Sequence, residues 1–167
     1  VGFRLVLMSP LAFLARPERW LQAIARHRGT LSAAPNFAYE LCVRRSDDAA
    51  LAGLDLSSWR IAFNGAEAVS PDTVQRFEQR FAACGLRPGT VTPVYGLAEA
   101  SLGLLFPPLG RGLRVDRIRR EPFEREQRAL PAAADALALR FVGCGAPLPG
   151  HEVRLVDEQG REVSERS

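Results

Sequence analysis

The sequence contains no lysine, and all 22 of its basic side chains are arginine. Without lysine, these 167 residues cannot form a Schiff base, hold phosphate as a Walker-type loop does, or activate a carboxylate through an ammonium group. Histidine and cysteine are also scarce, with two and three copies, and no Cys-x-x-Cys pair occurs. We therefore expect neither a zinc site nor a disulfide framework, and we expect a reducing, cytoplasmic location.

Long apolar runs are absent as well, since no apolar run approaches the roughly 18 residues that a membrane span needs. The chain begins with Val1 and shows no basic-then-apolar leader, so we expect an internal piece of a longer protein. Its net charge of +3 is too small to indicate a nucleic-acid partner. Leu, Ile, Val and Phe supply 46 of the 167 residues, which is enough for a core of ordinary size.

Strand-like and helix-like segments alternate through the first part of the chain. Strands are predicted at residues 2–8, 30–34, 60–63 and 90–95, and helices are predicted after caps at Ser9, Asn36 and Ser70 and from Pro17. This alternation is typical of right-handed βαβ units, so we predict an α/β fold with a mostly parallel sheet flanked by helices. Pro93 cannot donate a ladder hydrogen bond, which predicts an edge or a bulge for its strand.

The character of the sequence changes after residue 106. Residues 111–128 hold seven arginines and four acidic residues, which favours an exposed helix with internal ion pairs. Residues 131–138 are rich in alanine, as linkers are, while 139–143, 152–156 and a turn at 157–160 predict a small C-terminal β-meander. The expected divisions are a sheet subdomain at 1–106, an arginine-rich insertion or linker at 107–138, and a β subdomain beginning at 139–167.

Three unusual peptides follow the predicted strands, and the carboxyl ends of parallel strands are where open sheets bind ligands. The peptides are Pro35-Asn36-Phe37, Asn64-Gly65-Ala66-Glu67 and Tyr95-Gly96-Leu97-Ala98-Glu99. Gly65 would let a flat ligand approach, Tyr95 could stack on a purine, and Glu99 could hold Mg²⁺ beside a polyphosphate. Each of the three residues also has an ordinary structural explanation without a ligand. Their recurrence at three strand ends is what favours a nucleotide site.

The motif APNFAYELC at 34–42, followed in order by NGAE at 64–67, YGLAEA at 95–100 and GAPLPGHEV at 145–153, resembles the fatty acyl-AMP ligases. These enzymes belong to the adenylate-forming superfamily of acyl-CoA synthetases, peptide-synthetase adenylation domains and luciferases. The resemblance extends over nearly the whole chain. It implies that residues 139–167 begin the β-barrel subdomain of that family, and that 111–138 correspond to an insertion that hinders the use of coenzyme A.

The resemblance also implies a reaction and a set of contacts. ATP and a fatty acid would give acyl-adenylate and pyrophosphate with Mg²⁺, and an acyl carrier protein would receive the acyl group. By motif position, it implies adenine contacts from Gly65, Ala66 and Glu67, stacking by Tyr95, α-phosphate contacts from Gly96, Leu97 and Ala98, a catalytic metal ligand in Glu99, and an acyl tunnel bordered by Asn36 and Phe37.

Several parts of the family pattern have no counterpart in this sequence. They are the phosphate-binding loop, the ribose-binding aspartate and the C-terminal domain with its catalytic lysine. We therefore expect the isolated chain to be inactive, with at most weak nucleotide or acyl binding. Ala98 stands where many relatives carry a threonine.

A fatty acyl-CoA ligase and a non-catalytic interaction module that keeps the ligase fold remain as alternatives. An incompletely covered sheet could also make the isolated chain a homodimer.

Overall fold

The computed structural model of the protein describes residues 2–133 and 137–166. Its centre is a parallel sheet in the order β1-β2-β3, formed by Leu31–Ala34, Ile61–Asn64 and Val91–Pro93. Leu31 lies opposite Ile61 in the first pair, and Ala62 lies opposite Val91 in the second. The predicted α/β class with a parallel sheet is confirmed. Within the described ranges β3 pairs only with β2, so Pro93 lies on an edge strand, as predicted.

Helices flank this sheet and begin where short polar side chains or proline favour a start. The α-helices α1 to α6 comprise Pro10–Ala15, Glu18–His27, Asn36–Arg45, Asp48–Leu51, Pro71–Phe81 and Arg120–Glu126. The Ser70 hydroxyl accepts a hydrogen bond from the Thr73 N–H, and Pro71 follows it as the first helical residue, which is the predicted start of α5. None of these helices is long and apolar enough to cross a membrane, as judged over the described residues.

The core lies where α2, α3 and α5 pack on the sheet, and aromatic rings dominate it. Tyr39, Trp59 and Phe77 are completely buried. The Tyr39 and Phe77 rings meet edge to face with centroids 5.0 Å apart, and Trp59 contacts Phe77 in the same way at 6.1 Å. This cluster fixes α3 and α5 side by side, and thereby fixes where their N-termini meet the sheet.

The strand predicted at residues 2–8 is wrong, because these residues form no regular element. Their apolar side chains are among the most exposed in the molecule, with Phe3 at 71% and Leu7 at 83%. Alternation of apolar residues alone does not provide a strand with a partner for its backbone hydrogen bonds.

Antiparallel pairs make up the C-terminal part. Val115–Arg119 (β5) pairs with Ala138–Val142 (β6), and Leu105–Phe106 (β4) pairs with Ala146–Pro147 (β7). The predicted meander differs in its partner. Among the described residues β6 pairs with β5, and the segment 152–156 instead contributes the bridge from Val156 to Glu162.

The arginine-rich segment contains both a strand and a helix. The predicted exposed helix is confirmed in α6, where Arg120 pairs with Glu124 and Glu121 pairs with Arg125. β5 was hidden in this segment because Arg117 and Arg119 stand on either side of its buried residue, Ile118. Residues 134–136 of the predicted linker lie outside the described residues.

Candidate functional site

The chain segments that follow β1, β2 and β3 lie beside one another at one edge of the sheet. The Gly65 N–H lies 3.4 Å from the Ala34 carbonyl oxygen, and the Val94 N–H donates to the Asn64 carbonyl oxygen at 2.9 Å. The sheet therefore brings the three predicted peptides, which begin at Pro35, Asn64 and Tyr95, to a common edge.

Asn36 joins the first two of these segments. Pro35, not Asn36, is the N-cap of α3, and Asn36 is the first helical residue. The predicted cap is therefore wrong: the Asn36 side chain bonds outside its own helix, where its Oδ1 accepts from the Ser70 N–H at 3.1 Å and from Asn64 Nδ2 at 3.3 Å. Asn64 is completely buried, and its own Oδ1 has no hydrogen-bond partner in the part of the chain described.

Glu67 makes a second connection to α3. Its Oε1 accepts a hydrogen bond from the Phe37 N–H at 2.6 Å. The first N–H groups of a helix have no partner within the helix, and the positive end of the helix dipole favours a carboxylate. The Glu67 carboxylate is therefore turned toward α3.

Two glycines are required by close packing of the backbone. A Cβ atom at Gly65 would lie 2.9 Å from the Val94 carbonyl oxygen, and one at Gly96 would lie 1.5 Å from the Leu102 carbonyl oxygen. The protein itself thus explains both glycines without a ligand. Ala66, in contrast, has a φ of 65°, a left-handed conformation that costs an alanine free energy and that is concentrated at functional sites in proteins.

Tyr95 and Glu99 follow β3 with exposed side chains. The Tyr95 backbone pairs with Leu105 in both directions, at 3.2 and 2.9 Å, while half of its side-chain surface is exposed. Glu99 lies in a three-residue 3₁₀-helix, Ala98–Ala100, and is exposed. This single turn is the only helical structure between β3 and β4.

The segments that follow β2 and β3 form one wall of a pocket of about 520 Å³, which we call the rim pocket. Residues 66–69 and 94–96 line that wall, and residues 140–142 with Cys144 line the opposite one. The residues of the second wall were not among the predicted site residues. The only sequence signal for them was the predicted strand at 139–143, which gave no indication of its neighbours.

An apolar groove of about 450 Å³ lies on the other side of the start of α3. We call it the α3 groove, and its lining includes the side chains of Met8, Phe13, Trp20 and Phe37. Phe37 is 47% exposed. The groove and the rim pocket share no lining residue, but Phe37 of the groove is hydrogen-bonded to Glu67 of the rim pocket.

The three thiols offer no reactive nucleophile. Burial raises the pKa of Cys42 to about 12, and burial also raises the pKa of Cys144 against an opposing effect of Arg111. Because the thiolate is the reactive form, both side chains behave as small apolar groups at neutral pH.

The AMP-binding enzyme family model matches residues 1–167. A medium-chain fatty acid–acyl-carrier-protein ligase of Moorena producens is 43% identical and aligns with 93% of this chain and 27% of its own length. For a long-chain fatty acid–AMP ligase of Mycobacterium marinum the identity is 42%, over 95% of this chain and 27% of that protein. Among solved structures, a fatty acyl-adenylate ligase from Legionella pneumophila in complex with acyl adenylate and pyrophosphate has a TM-score of 0.88 and 38% identity, covering 93% of this chain and 27% of that one. The chain thus spans about a quarter of the length of these relatives.

Proposed function

Because the chain belongs to the AMP-binding enzyme family, we propose that it forms the sheet-bearing part of a ligase that activates a fatty acid with ATP. In this reaction the fatty-acid carboxylate attacks the α-phosphate of ATP, acyl-adenylate forms and pyrophosphate leaves. The likeness to a ligase solved with acyl adenylate and pyrophosphate, at 38% identity, supports this chemistry.

The observation that carries the proposal is that the segments following β2 and β3 line the rim pocket together, while the segment following β1 is hydrogen-bonded to Glu67 of that pocket. Ligands of open parallel sheets bind beyond the carboxyl ends of the strands, and Ala66, Glu67 and Tyr95 all line this pocket. We assign the adenine to the side formed by Gly65, Ala66 and Glu67. The half-exposed ring of Tyr95 would stack on the purine.

The α-phosphate would lie along Gly96, Leu97 and Ala98, where Ala98 provides no hydroxyl group. Within residues 2–133 and 137–166, no three His, Cys, Asp or Glu side chains gather as a metal site. A nucleotide-bound Mg²⁺ needs only one or two protein carboxylates, since phosphates and water complete its shell. The single exposed carboxylate of Glu99 fits that role, and the ion would neutralise charge on the phosphates.

We propose the α3 groove as the place of the fatty-acyl chain. Its lining is largely apolar, and the half-exposed Phe37 ring at the start of α3 faces it. Burying an alkyl chain contributes about 0.8 kcal/mol for each CH₂ group, so an apolar groove beside a nucleotide pocket suits a fatty acid. Asn36 and Phe37 would then border the acyl chain where it approaches the adenylate.

We propose an acyl carrier protein as the acceptor of the acyl group, because the name of the Moorena relative includes that partner. A fatty acyl-CoA ligase is the alternative. In keeping with the first possibility, residues 107–138 would form the arginine-rich insertion between a sheet subdomain at 1–106 and a barrel that begins at 139–167. The three free thiols suit a reducing compartment, so we propose the cytoplasm.

We further propose that the 167 residues are inactive in isolation. The chain spans about a quarter of the length of its relatives and has no lysine, so it cannot supply the catalytic lysine that the resemblance implies. A non-catalytic module that keeps the ligase fold is the second candidate for the complete protein.

The test is an assay of the complete protein encoded by the reading frame that carries this chain. The protein is incubated with α-labelled ATP, Mg²⁺ and decanoate, and acyl-adenylate is separated by chromatography. We expect acyl-adenylate and pyrophosphate, with transfer to holo-acyl carrier protein and little acyl-CoA when coenzyme A is added. Ready formation of acyl-CoA would favour the alternative ligase, and no adenylate with fatty acids from C8 to C18 would overturn the proposed activity.

A further inference from the structure

Phe37 lines one candidate pocket and is hydrogen-bonded to a residue of the other. Its ring lines the α3 groove, whereas its backbone N–H donates to Glu67, a residue that lines the rim pocket. The donor–acceptor distance is 2.6 Å, so the backbone N–H and the Glu67 side chain are in direct hydrogen-bond contact.

The residue before Phe37 is tied to the same loop. Asn36 Oδ1 accepts from the Ser70 N–H at 3.1 Å, so consecutive residues of α3 bind both ends of the segment 67–70. We call these two hydrogen bonds, Asn36 to Ser70 and Phe37 to Glu67, the α3 latch. Because the segment 67–70 has side chains on the rim pocket wall, the latch sets the position of that wall relative to the groove.

The loop carries backbone strain that makes it responsive to such a restraint. Ala66, directly before Glu67, has its φ at 65°. A left-handed alanine persists only where surrounding contacts hold it, because this backbone conformation is strained for a residue that has a Cβ atom. The Phe37–Glu67 bond is one such contact, so loosening it favours relaxation of Ala66 and of the wall beside Tyr95.

We propose that Glu67 is a positioning residue that couples the two pockets through the Phe37 N–H. An acyl chain against the Phe37 ring favours the latched start of α3, and a nucleotide against residues 66–69 favours the same loop geometry. Each ligand therefore strengthens the binding of the other, and by linkage the effect is reciprocal. This inference rests on the proposed function, which supplies the two ligand classes.

The reach of the Glu67 side chain, rather than its charge, is what this role requires. Glu67→Gln keeps an acceptor oxygen at the same distance from the backbone and removes the charge. Glu67→Asp keeps the charge but is one methylene shorter, so it loses the bond to the Phe37 N–H. A Glu67 that acted on the ligand through its charge would rank these two variants in the opposite order.

The experiment measures AMP binding to the complete protein by calorimetry, with and without saturating decanoate. For the unmodified protein and for Glu67→Gln we expect decanoate to tighten AMP binding at least about fivefold, the lower end of common coupling factors. For Glu67→Asp we expect a factor near one. The exposed Glu158 provides matched controls, since Glu158→Asp and Glu158→Gln should both behave as the unmodified protein does.

The results of this experiment distinguish failure of the coupling role of Glu67 from failure of the proposed function. Coupling that survives in Glu67→Asp, or that is absent from the unmodified protein, overturns the role of the latch while AMP binding stands. Coupling lost in Glu67→Gln and kept in Glu67→Asp overturns it in favour of a charge effect. No binding of AMP to the unmodified protein overturns the proposed function, and this inference with it.

Discussion

Arg140 of β6 forms a two-point ion pair with Asp72 in the first turn of α5, across 68 residues of sequence. One guanidinium nitrogen, Nη1, lies 3.0 Å from Asp72 Oδ1, and Nη2 contacts Oδ2. The Arg140 hydrogen bond lowers the pKa of Asp72 below its usual value. Because β6 forms the second wall of the rim pocket, this pair fixes that wall against the helix that follows β2.

The first prediction concerns this pair. Asp72→Asn keeps the shape of the side chain and removes its charge, so the β6 wall should become less well fixed. We expect AMP affinity of the complete protein to fall several-fold while the melting temperature changes little, since exposed ion pairs add little stability. Calorimetry and thermal unfolding measure the two quantities.

Asp48→Asn is the matched control, because Asp48 also pairs with an arginine of α5, Arg80, away from the pocket. It should leave AMP affinity unchanged. Equal loss of affinity in the two variants would mean that the Arg140 pair has no special part in forming the pocket.

A second prediction concerns Glu40 of α3, whose carboxylate binds residues of α5. Partial burial opposes ionisation of Glu40, but hydrogen bonds from Arg76 and Thr73 outweigh this effect. Together with a bond from Arg44 they lower the pKa from 4.5 to about 2. A carboxyl group whose pKa is lower in the folded than in the unfolded state stabilises the fold at any pH above its unfolded-state pKa. This stabilisation is lost as the pH falls through the folded-state pKa.

The stability contributed by Glu40 should therefore be complete above pH 4.5 and should decline between pH 4.5 and about 2. Thermal unfolding of the 167-residue chain across this range should show a shallower pH dependence for Glu40→Gln than for the unmodified chain. Glu121→Gln, which alters an exposed pair within α6, should keep the original slope. Parallel curves for Glu40→Gln and the unmodified chain would contradict the prediction.

The third prediction concerns the turn after Tyr95. A Cβ atom at Gly96 would lie 1.5 Å from the Leu102 carbonyl oxygen, so Gly96→Ala must displace this backbone. Overpacking of this kind costs about 1–3 kcal/mol of unfolding free energy, and urea denaturation of the chain measures it. Gly143→Ala is the control, because the nearest atom to its added Cβ is 3.9 Å away. A change below about 0.5 kcal/mol at Gly96 would contradict the geometry.

The fourth prediction addresses the stacking role proposed for Tyr95. Its ring is half exposed and lines the rim pocket, and removal of an aromatic ring that stacks on a base costs about 1–3 kcal/mol. Tyr95→Ala should therefore weaken AMP binding to the complete protein about tenfold or more. Tyr95→Phe keeps the ring and should bind nearly as the unmodified protein does. Unchanged affinity in Tyr95→Ala would count against stacking.

Local signals in the sequence predicted the local structure well. Ser70 and Pro71 together specify the start of α5, and Pro93 favours an edge strand, because each acts on backbone groups within a few residues of its own position. The strand prediction at residues 2–8 was wrong because a strand also needs a partner strand. β5 was missed because the seven arginines among residues 111–128 favoured an exposed helix there.

Connections between distant segments could not be predicted from one sequence. The rule for parallel sheets brought the segments at 36, 65 and 95 to one edge, but the bonds that join them depend on packing. Phe37 and Glu67 are 30 residues apart, and Arg140 and Asp72 are 68 apart. Neither pair has a spacing or a motif that marks it, since each forms only after α3, α5 and β6 have taken their places.

The most direct test of the account is a crystal structure of the complete protein with AMP and Mg²⁺. We expect the purine between the Gly65–Ala66 backbone and the Tyr95 ring, with ring planes about 3.5 Å apart, and the phosphate near residues 96–98. A nucleotide bound elsewhere, with the rim pocket holding only solvent, would contradict the claim that these three strand-end segments form a nucleotide site.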